Sequence, residues 1–382
     1  MPTKPVQTPD PAKSLDARPQ TVLVLQGGGA LGAYQLGVFQ ALHERGVEPD
    51  WVIGTSIGAI NAALIAGNPR SLRLERMAAF WQRIEQHGND LAHWFDASLG
   101  QTLANVGTIT QGVDGFFSPR PAAWWSPQLP VGVEQASYYS TQPLRETLAE
   151  LLDQALLGEP EIRITVGAVG VASGKMHYFD SRAPGTRLQI DHIVASGALP
   201  PAFGAVRVGG EAFWDGGIFS NTPIEAVFDD HPRRNSLIFS VSVWHQQGPE
   251  PSSINEVLAR QKDIQYASRH EGQIAQQKQI HHLRHVIRAL SQQLDAPTAR
   301  TPAVRELAGW GCGTTMHVAH LEAPRLSAED ASKDIDFSAN GIRLRSEAGR
   351  RDTLEMLDRA DWLKPHDPLA GVIEHHLMRN QT

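Results

Sequence analysis

The sequence predicts an α/β protein built on a mainly parallel sheet, and three observations carry that class. Residues 21–25 form a continuous apolar run that enters a glycine-rich turn, Gln26-Gly27-Gly28-Gly29-Ala30-Leu31-Gly32, and then a helical pattern. Trp51-Val52-Ile53 repeats the arrangement, passing through Gly54-Thr55-Ser56-Ile57-Gly58 into a small-residue helix. Residues 237–243 form a further run of the same buried character. Successive β-α units with such runs imply parallel strands joined by right-handed crossovers.

Taken in order, residues 1–20 carry Pro2, Pro5, Pro9, Pro11 and Pro19, with no apolar core behind the lysines. They read as a disordered lead-in, not a signal peptide. The first helix runs to about Arg45, with Leu36, Phe39 and Leu42 facing a core and Gly46 closing it. A second helix covers about 57–66. A third, at about 69–86, carries Leu72, Leu74, Met77, Phe80, Trp81 and Ile84. From 89 to 137 the periodicity stops, and Trp94, Phe95, Phe116, Phe117, Trp124 and Trp125 stand among glycines and prolines. Such an insertion suits a lid or apolar wall for a greasy substrate, and equally a loop whose aromatics plug the surface.

A helix at about 143–157 has Pro143 in its first turn. Strands at 162–171 and 175–179 flank Ser173-Gly174 as a hairpin. A short helix then stops at Pro200-Pro201, and residues 205–214 form a hairpin that delivers Asp215-Gly216-Gly217. After Pro251 the texture changes. Residues 254–294 read as long helix, 315–321 as one strand, and the remainder as two C-terminal helices. This divides the chain into a lead-in (1–20), a catalytic domain (21–250) and a mostly helical region of unknown role (251–382).

Bulk chemistry narrows the partners. Of 382 residues 41% are hydrophobic, enough for a sizeable core. A net charge of −7 with no long basic run argues against nucleic acid. No apolar run is long enough to span a bilayer, so the expectation is a soluble cytoplasmic protein that at most touches a membrane surface. Cys312 is the only cysteine, which fits a reducing compartment, and its Gly311-Cys312-Gly313 setting gives little reason to make it a nucleophile. His281 and His285 could share a helix face, yet no H-E-x-x-H pattern surrounds them, so a solvated face is the expectation there.

Two chemistries compete for the glycine loop. Gly27-x-Gly29-x-x-Gly32 matches a dinucleotide fingerprint, which needs an acid at the far end of the second strand. Asp50 precedes that strand, and its far end is Gly54, so the placement fails. The other reading needs no cofactor. Backbone N–H groups of Gly28 and Gly29 at a helix mouth would form an oxyanion hole. Gly54 and Gly58 flank Ser56 in G-x-S-x-G, a turn that exposes a nucleophile ahead of a helix dipole. An ordinary tight strand-to-helix turn has the same composition. For a base, Asp215 with His231 or His245 would make a triad. Asp215 alone, held at a hairpin end by Gly216 and Gly217, could take the Ser56 proton directly if burial raised its pKa.

Three motifs, Gly27-Gly28-Gly29-Ala30-Leu31-Gly32, Gly54-Thr55-Ser56-Ile57-Gly58 and Asp215-Gly216-Gly217, occur in the order found in the patatin-like phospholipases, and the chain resembles that family over about 20–245. The stretch from Ala195 to Phe203 is also similar. The resemblance implies a three-layer α/β/α sandwich and a Ser56–Asp215 dyad without histidine. It further implies oxyanion donors at Gly27, Gly28 and Gly29, supported by Gly32, Gly54, Gly58, Gly216 and Gly217, and neither cofactor nor metal. The implied reaction is cleavage of a fatty-acyl ester through an acyl-enzyme. A non-lipid carboxylesterase or thioesterase, and a catalytically silent lipid-binding scaffold, are the alternatives. Many members carry Arg or Lys where this chain has Leu31. Oligomeric state is left open.

Overall fold

The computed structural model of the chain describes residues 18–86, 108, 110–267, 270–326 and 329–377. The lead-in up to residue 17, and Trp94 and Phe95 of the aromatic insertion, lie outside the described residues.

Nine strands make one sheet: β1 (Gln20–Leu25), β2 (Trp51–Thr55), β3 (Arg163–Gly170), β4 (Met176–Asp180), β5 (Val206–Val208), β6 (Glu211–Asp215), β7 (Ser236–Ser242), β8 (Met316–Glu322) and β9 (Val372–His376). The pairing path is β9-β8-β7-β1-β2-β3-β6-β5, with β4 alongside β3. From β9 to β3 every pairing is parallel, as the β-α order requires, while β4, β5 and β6 join antiparallel through hairpins. Gly209 and Gly210, both at positive φ, make the two-residue turn between β5 and β6.

The principal helices are α1 (Ala33–Glu44), α2 (Ile57–Ala66), α3 (Arg73–Arg83), α4 (Gln142–Leu151), α5 (Ile190–Ser196), α6 (Ile254–Ala267), α7 (His270–Gln292) and α8 (Ala339–Arg359). Alternation along the strands divides the core in two. Leu23, Leu25 and Val52 pack with α1, α2 and α3, whereas Val22, Val24, Trp51 and Ile53 pack with Phe228 and with Ile274 of α7. This is the expected three-layer arrangement.

Three local expectations need correction. The helix expected over 143–157 breaks at Leu152, which is extended, because the Asp153 side chain caps a new short helix by accepting from the Ala155 and Leu156 N–H groups. The C-terminal end holds one helix, α8, and then strand β9. Its Glu374-His375-His376 sequence is too polar to read as a strand, yet it pairs with β8 at the sheet edge. The region after residue 250 is largely helical, but β8 and β9 extend the central sheet and α8 lies against α1, where Gly37 and Gly349 allow backbone approach.

Candidate active site

The strand pattern brings Ser56 and Asp215 together. β4 occupies one flank of β3, so β2 and β6 share the other. β2 ends with Thr55 opposite Gly167, and β6, running the other way, ends with Asp215 opposite Ala168. The two strands meet head-on along β3, so Ser56 and Asp215 line the same cavity, the hydroxyl near enough to the carboxyl to favour its ionised form.

Ser56 sits at φ 57°, ψ −125°, a strained conformation for a residue with a side chain. What holds it is the packing of the turn. A Cβ on Gly54 would lie 2.2 Å from the Gly58 carbonyl oxygen, and one on Gly58 would lie 2.2 Å from that of Leu25. The Ser56 N–H donates to Ser196 Oγ (3.1 Å), and Ser196 Oγ donates to the Gly167 carbonyl (2.6 Å). α2 starts at the next residue, so its positive end faces the hydroxyl.

Asp215 is 2% exposed. Burial pushes its carboxyl up to about 7, against the opposing pull of the nearby Ser56 hydroxyl and of the Gly217 N–H, which donates to Oδ1 at 2.7 Å. Such a carboxyl can accept a hydroxyl proton near neutral pH and return it.

The glycine loop closes one wall. Gly27 is expected among the oxyanion donors, but its N–H already donates to the Asn221 carbonyl (3.1 Å). Its own carbonyl accepts from Asn221 Nδ2 (3.0 Å) and Trp244 Nε1 (2.8 Å). Gly27 therefore anchors the loop, which leaves the N–H groups of Gly28 and Gly29 as the candidate oxyanion donors. Gly29 has φ 54°, and a Cβ there would meet the Asp334 carbonyl oxygen at 2.2 Å. Before the loop, Gln26 Oε1 accepts from the N–H groups of Val243 (2.6 Å) and Trp244 (3.0 Å), while Nε2 donates to Thr222 Oγ1 (2.6 Å). One buried side chain thus ties β1 to the end of β7.

Ser56, Asp215, Gly28 and Gly29 line one cavity of about 210 Å³, whose walls are largely apolar. Phe116, Phe117 and Tyr139 form one side, so part of the aromatic insertion is a wall of the cavity. Trp124 (52% exposed) and Trp125 (88% exposed) point to solvent instead. Tyr266, Asp334 and Phe337 line it from the C-terminal region. No signal marked these three in the sequence, because their proximity depends on how that region folds back. Burial, and secondarily the Asp215 and Asp334 carboxylates, raise the Tyr266 phenol.

Neither candidate histidine lines the cavity. His245 is turned away, with Nδ1 3.0 Å from Glu322 Oε1, and His231 lies exposed in a loop. Cys312 is also remote, its Sγ 2.9 Å from Thr314 Oγ1. The face of α7 expected to be solvated is buried at His281 and His285. The two ring nitrogens of His285 lie at 3.0 and 2.9 Å from the Pro368 and Thr314 carbonyls, so it joins two loops.

Comparison with known proteins finds relatives of the chain. A family model described as patatin-like phospholipase matches residues 23–228, and a second, described as patatin phospholipase, matches 264–369. A patatin-like phospholipase domain-containing protein of Caenorhabditis elegans is 49% identical over 59 residues, 15% of this chain and 4% of that protein. A lysophospholipase of Aspergillus terreus is 59% identical over 44 residues (12% and 3%), and a triacylglycerol lipase of Schizosaccharomyces pombe 48% over 46 (12% and 10%). The similarity thus spans a tenth or less of these relatives. Among solved structures, VipD from Legionella pneumophila aligns with 89% of this chain and 66% of its own at 16% identity and a TM-score of 0.36. With the first model covering more than half of its length, the chain belongs to the patatin-like phospholipase family.

Proposed function

We propose that the protein is a serine lipid acyl hydrolase working through a Ser56–Asp215 dyad. The observation that carries this reading is that Ser56, on its strained turn, and the buried Asp215 carboxyl line one apolar cavity beside the glycine loop. Ser56 Oγ attacks the ester carbonyl carbon as its proton passes to Asp215, and the N–H groups of Gly28 and Gly29 stabilise the oxyanion. Collapse breaks the bond to the alcohol, which leaves with the proton from Asp215. Water then attacks the acyl-Ser56 ester, giving its proton to Asp215, and Ser56 departs with that proton as the fatty acid is released. The apolar lining favours an acyl chain over a polar substituent.

The test is hydrolysis of p-nitrophenyl esters of increasing chain length by wild type, Ser56→Ala, Asp215→Asn and His245→Ala. The expected pattern is a preference for longer chains, loss of activity in the first two variants by at least about 10³-fold, and retained activity in His245→Ala. Activity surviving in Asp215→Asn would refute the dyad. A folded wild type inert on every ester would favour the lipid-binding scaffold.

A further inference from the structure

A second cluster of reactive side chains lies at the C-terminal ends of β8 and β9. These strands are parallel, with His320 level with His376, and the two-residue repeat sets Glu374 on the same face as His376. The His320 and His376 rings stack with centroids 4.3 Å apart and planes 3° from parallel. Glu374 Oε2 stands 3.4 Å from His320 Nε2 and 3.9 Å from His376 Nε2, and one donor atom from each residue lies within 4.8 Å of the others. Glu374 Oε1 is engaged separately, accepting from Lys278 Nζ of α7 at 2.8 Å. The three residues border a cavity of about 410 Å³ that is also lined by Glu322 and by Trp244, which faces the Ser56 cavity on its other side.

We propose that His320, Glu374 and His376 bind a divalent first-row transition ion, with zinc as the reference, leaving a coordination position open to this cavity. Two imidazole nitrogens and one carboxylate oxygen form a donor set suited to zinc. Metal–ligand bonds of about 2.0–2.1 Å in a tetrahedron place ligand atoms roughly 3.4 Å apart, close to the spacings here, so small rotamer changes complete the site. Coordination through Oε2 alone leaves Lys278 on Oε1, the outer partner that orients a ligating carboxylate. Lys278 is half-exposed, which lets solvent screen its charge, and Glu322 adds a carboxylate to the cavity wall. Other close histidines are otherwise committed. His317 Nδ1 and His375 Nε2 face each other at 3.0 Å, and His285 is held by carbonyls. The site shares no residue with the Ser56–Asp215 pair and is independent of the reaction proposed above.

The test uses the full chain, stripped with chelator, re-equilibrated with micromolar zinc, desalted and analysed by mass spectrometry. The expected result is about one zinc per chain, with cobalt(II) giving the visible d–d bands of a low-coordinate site. His376→Gln, a substitution at an exposed position on the sheet edge, and Glu374→Gln should each weaken zinc binding by more than about tenfold. His317→Gln, on the opposite face of the sheet, should bind like wild type. Zinc should raise the melting temperature of wild type and His317→Gln alone, with circular dichroism verifying that every variant is folded. Absence of saturable zinc binding to wild type overturns the proposal, as does undiminished binding in the Glu374→Gln/His376→Gln double variant.

Discussion

Asp215 is costly to bury, and its cost and its use have the same origin. Its carboxyl titrates at about 7 in the fold, against an ordinary value of 3.8. As pH rises from the lower to the upper value, the unfolded chain has lost a proton that the native state still holds. Stability therefore falls across that window, and above it the native state carries the full cost of a buried carboxylate. Asp215→Asn never ionises, so at about pH 8 it should melt at a higher temperature than wild type, and the gap should close toward about pH 4. Calorimetry across that range checks the sign, and a variant less stable than wild type at the alkaline end would refute the argument. The same titration governs catalysis in the proposed dyad. The acid limb of kcat/KM should report an apparent pKa of about 7, falling roughly tenfold per pH unit below it.

At the scale of elements, the candidate site is a junction of chain ends that β3 aligns. Much of this was legible beforehand. Gly54 and Gly58 signal a tight turn around Ser56 because a side chain at either would collide with backbone, and the Gly209-Gly210 turn fixes where the hairpin ends, hence where Asp215 emerges. The β-α order likewise gave the parallel sheet from β1 to β3. Contacts distant in sequence left no such mark. Gln26 is one polar residue after a strand, yet it holds the Val243 and Trp244 N–H groups that shape the loop. Gln26→Leu leaves those buried donors unpaired, at a cost of about 1–3 kcal/mol each, and should lower both denaturant stability and esterase activity. At Gly29 the obstacle is steric. A methyl group would press on Asp334 in a backbone region that disfavours side chains. Gly29→Ala should reduce kcat by about 10²-fold or more while leaving the circular dichroism unchanged. Unaltered kcat would remove this loop from the chemistry.

For the whole molecule, the region after residue 250 is joined to the catalytic half through sheet, helix layer and cavity at once. β8 takes the open edge of β7, α8 covers α1, and Asp334 lies against the glycine loop. Within that region, two ion pairs hold the segment around Asp334 against α6. Lys333 Nζ meets Asp263 Oδ1 at 2.7 Å with both side chains buried, and Lys262 Nζ meets Asp334 Oδ1 at 2.7 Å. The composition change near Pro251 reads as a boundary because the stretch that follows is rich in Gln, Arg and His. Sequence period cannot show that a strand some 70 residues later will enter the same sheet. Breaking the buried pair tests the consequence. Lys333→Met leaves Asp263 buried without its nearest cation, since the remaining Arg325 stands 3.7 Å away and is partly exposed. It should cost about 3–5 kcal/mol in chemical denaturation. Because Lys333 adjoins Asp334, the loss should be accompanied by lower esterase activity at temperatures where the variant is still folded. A chain ending at residue 250 would expose the β7 edge and the apolar face of α1 together, and should aggregate instead of yielding a monodisperse active domain. An active, monodisperse 1–250 fragment on size-exclusion chromatography would show that the catalytic half stands alone and that the C-terminal return is dispensable to the site.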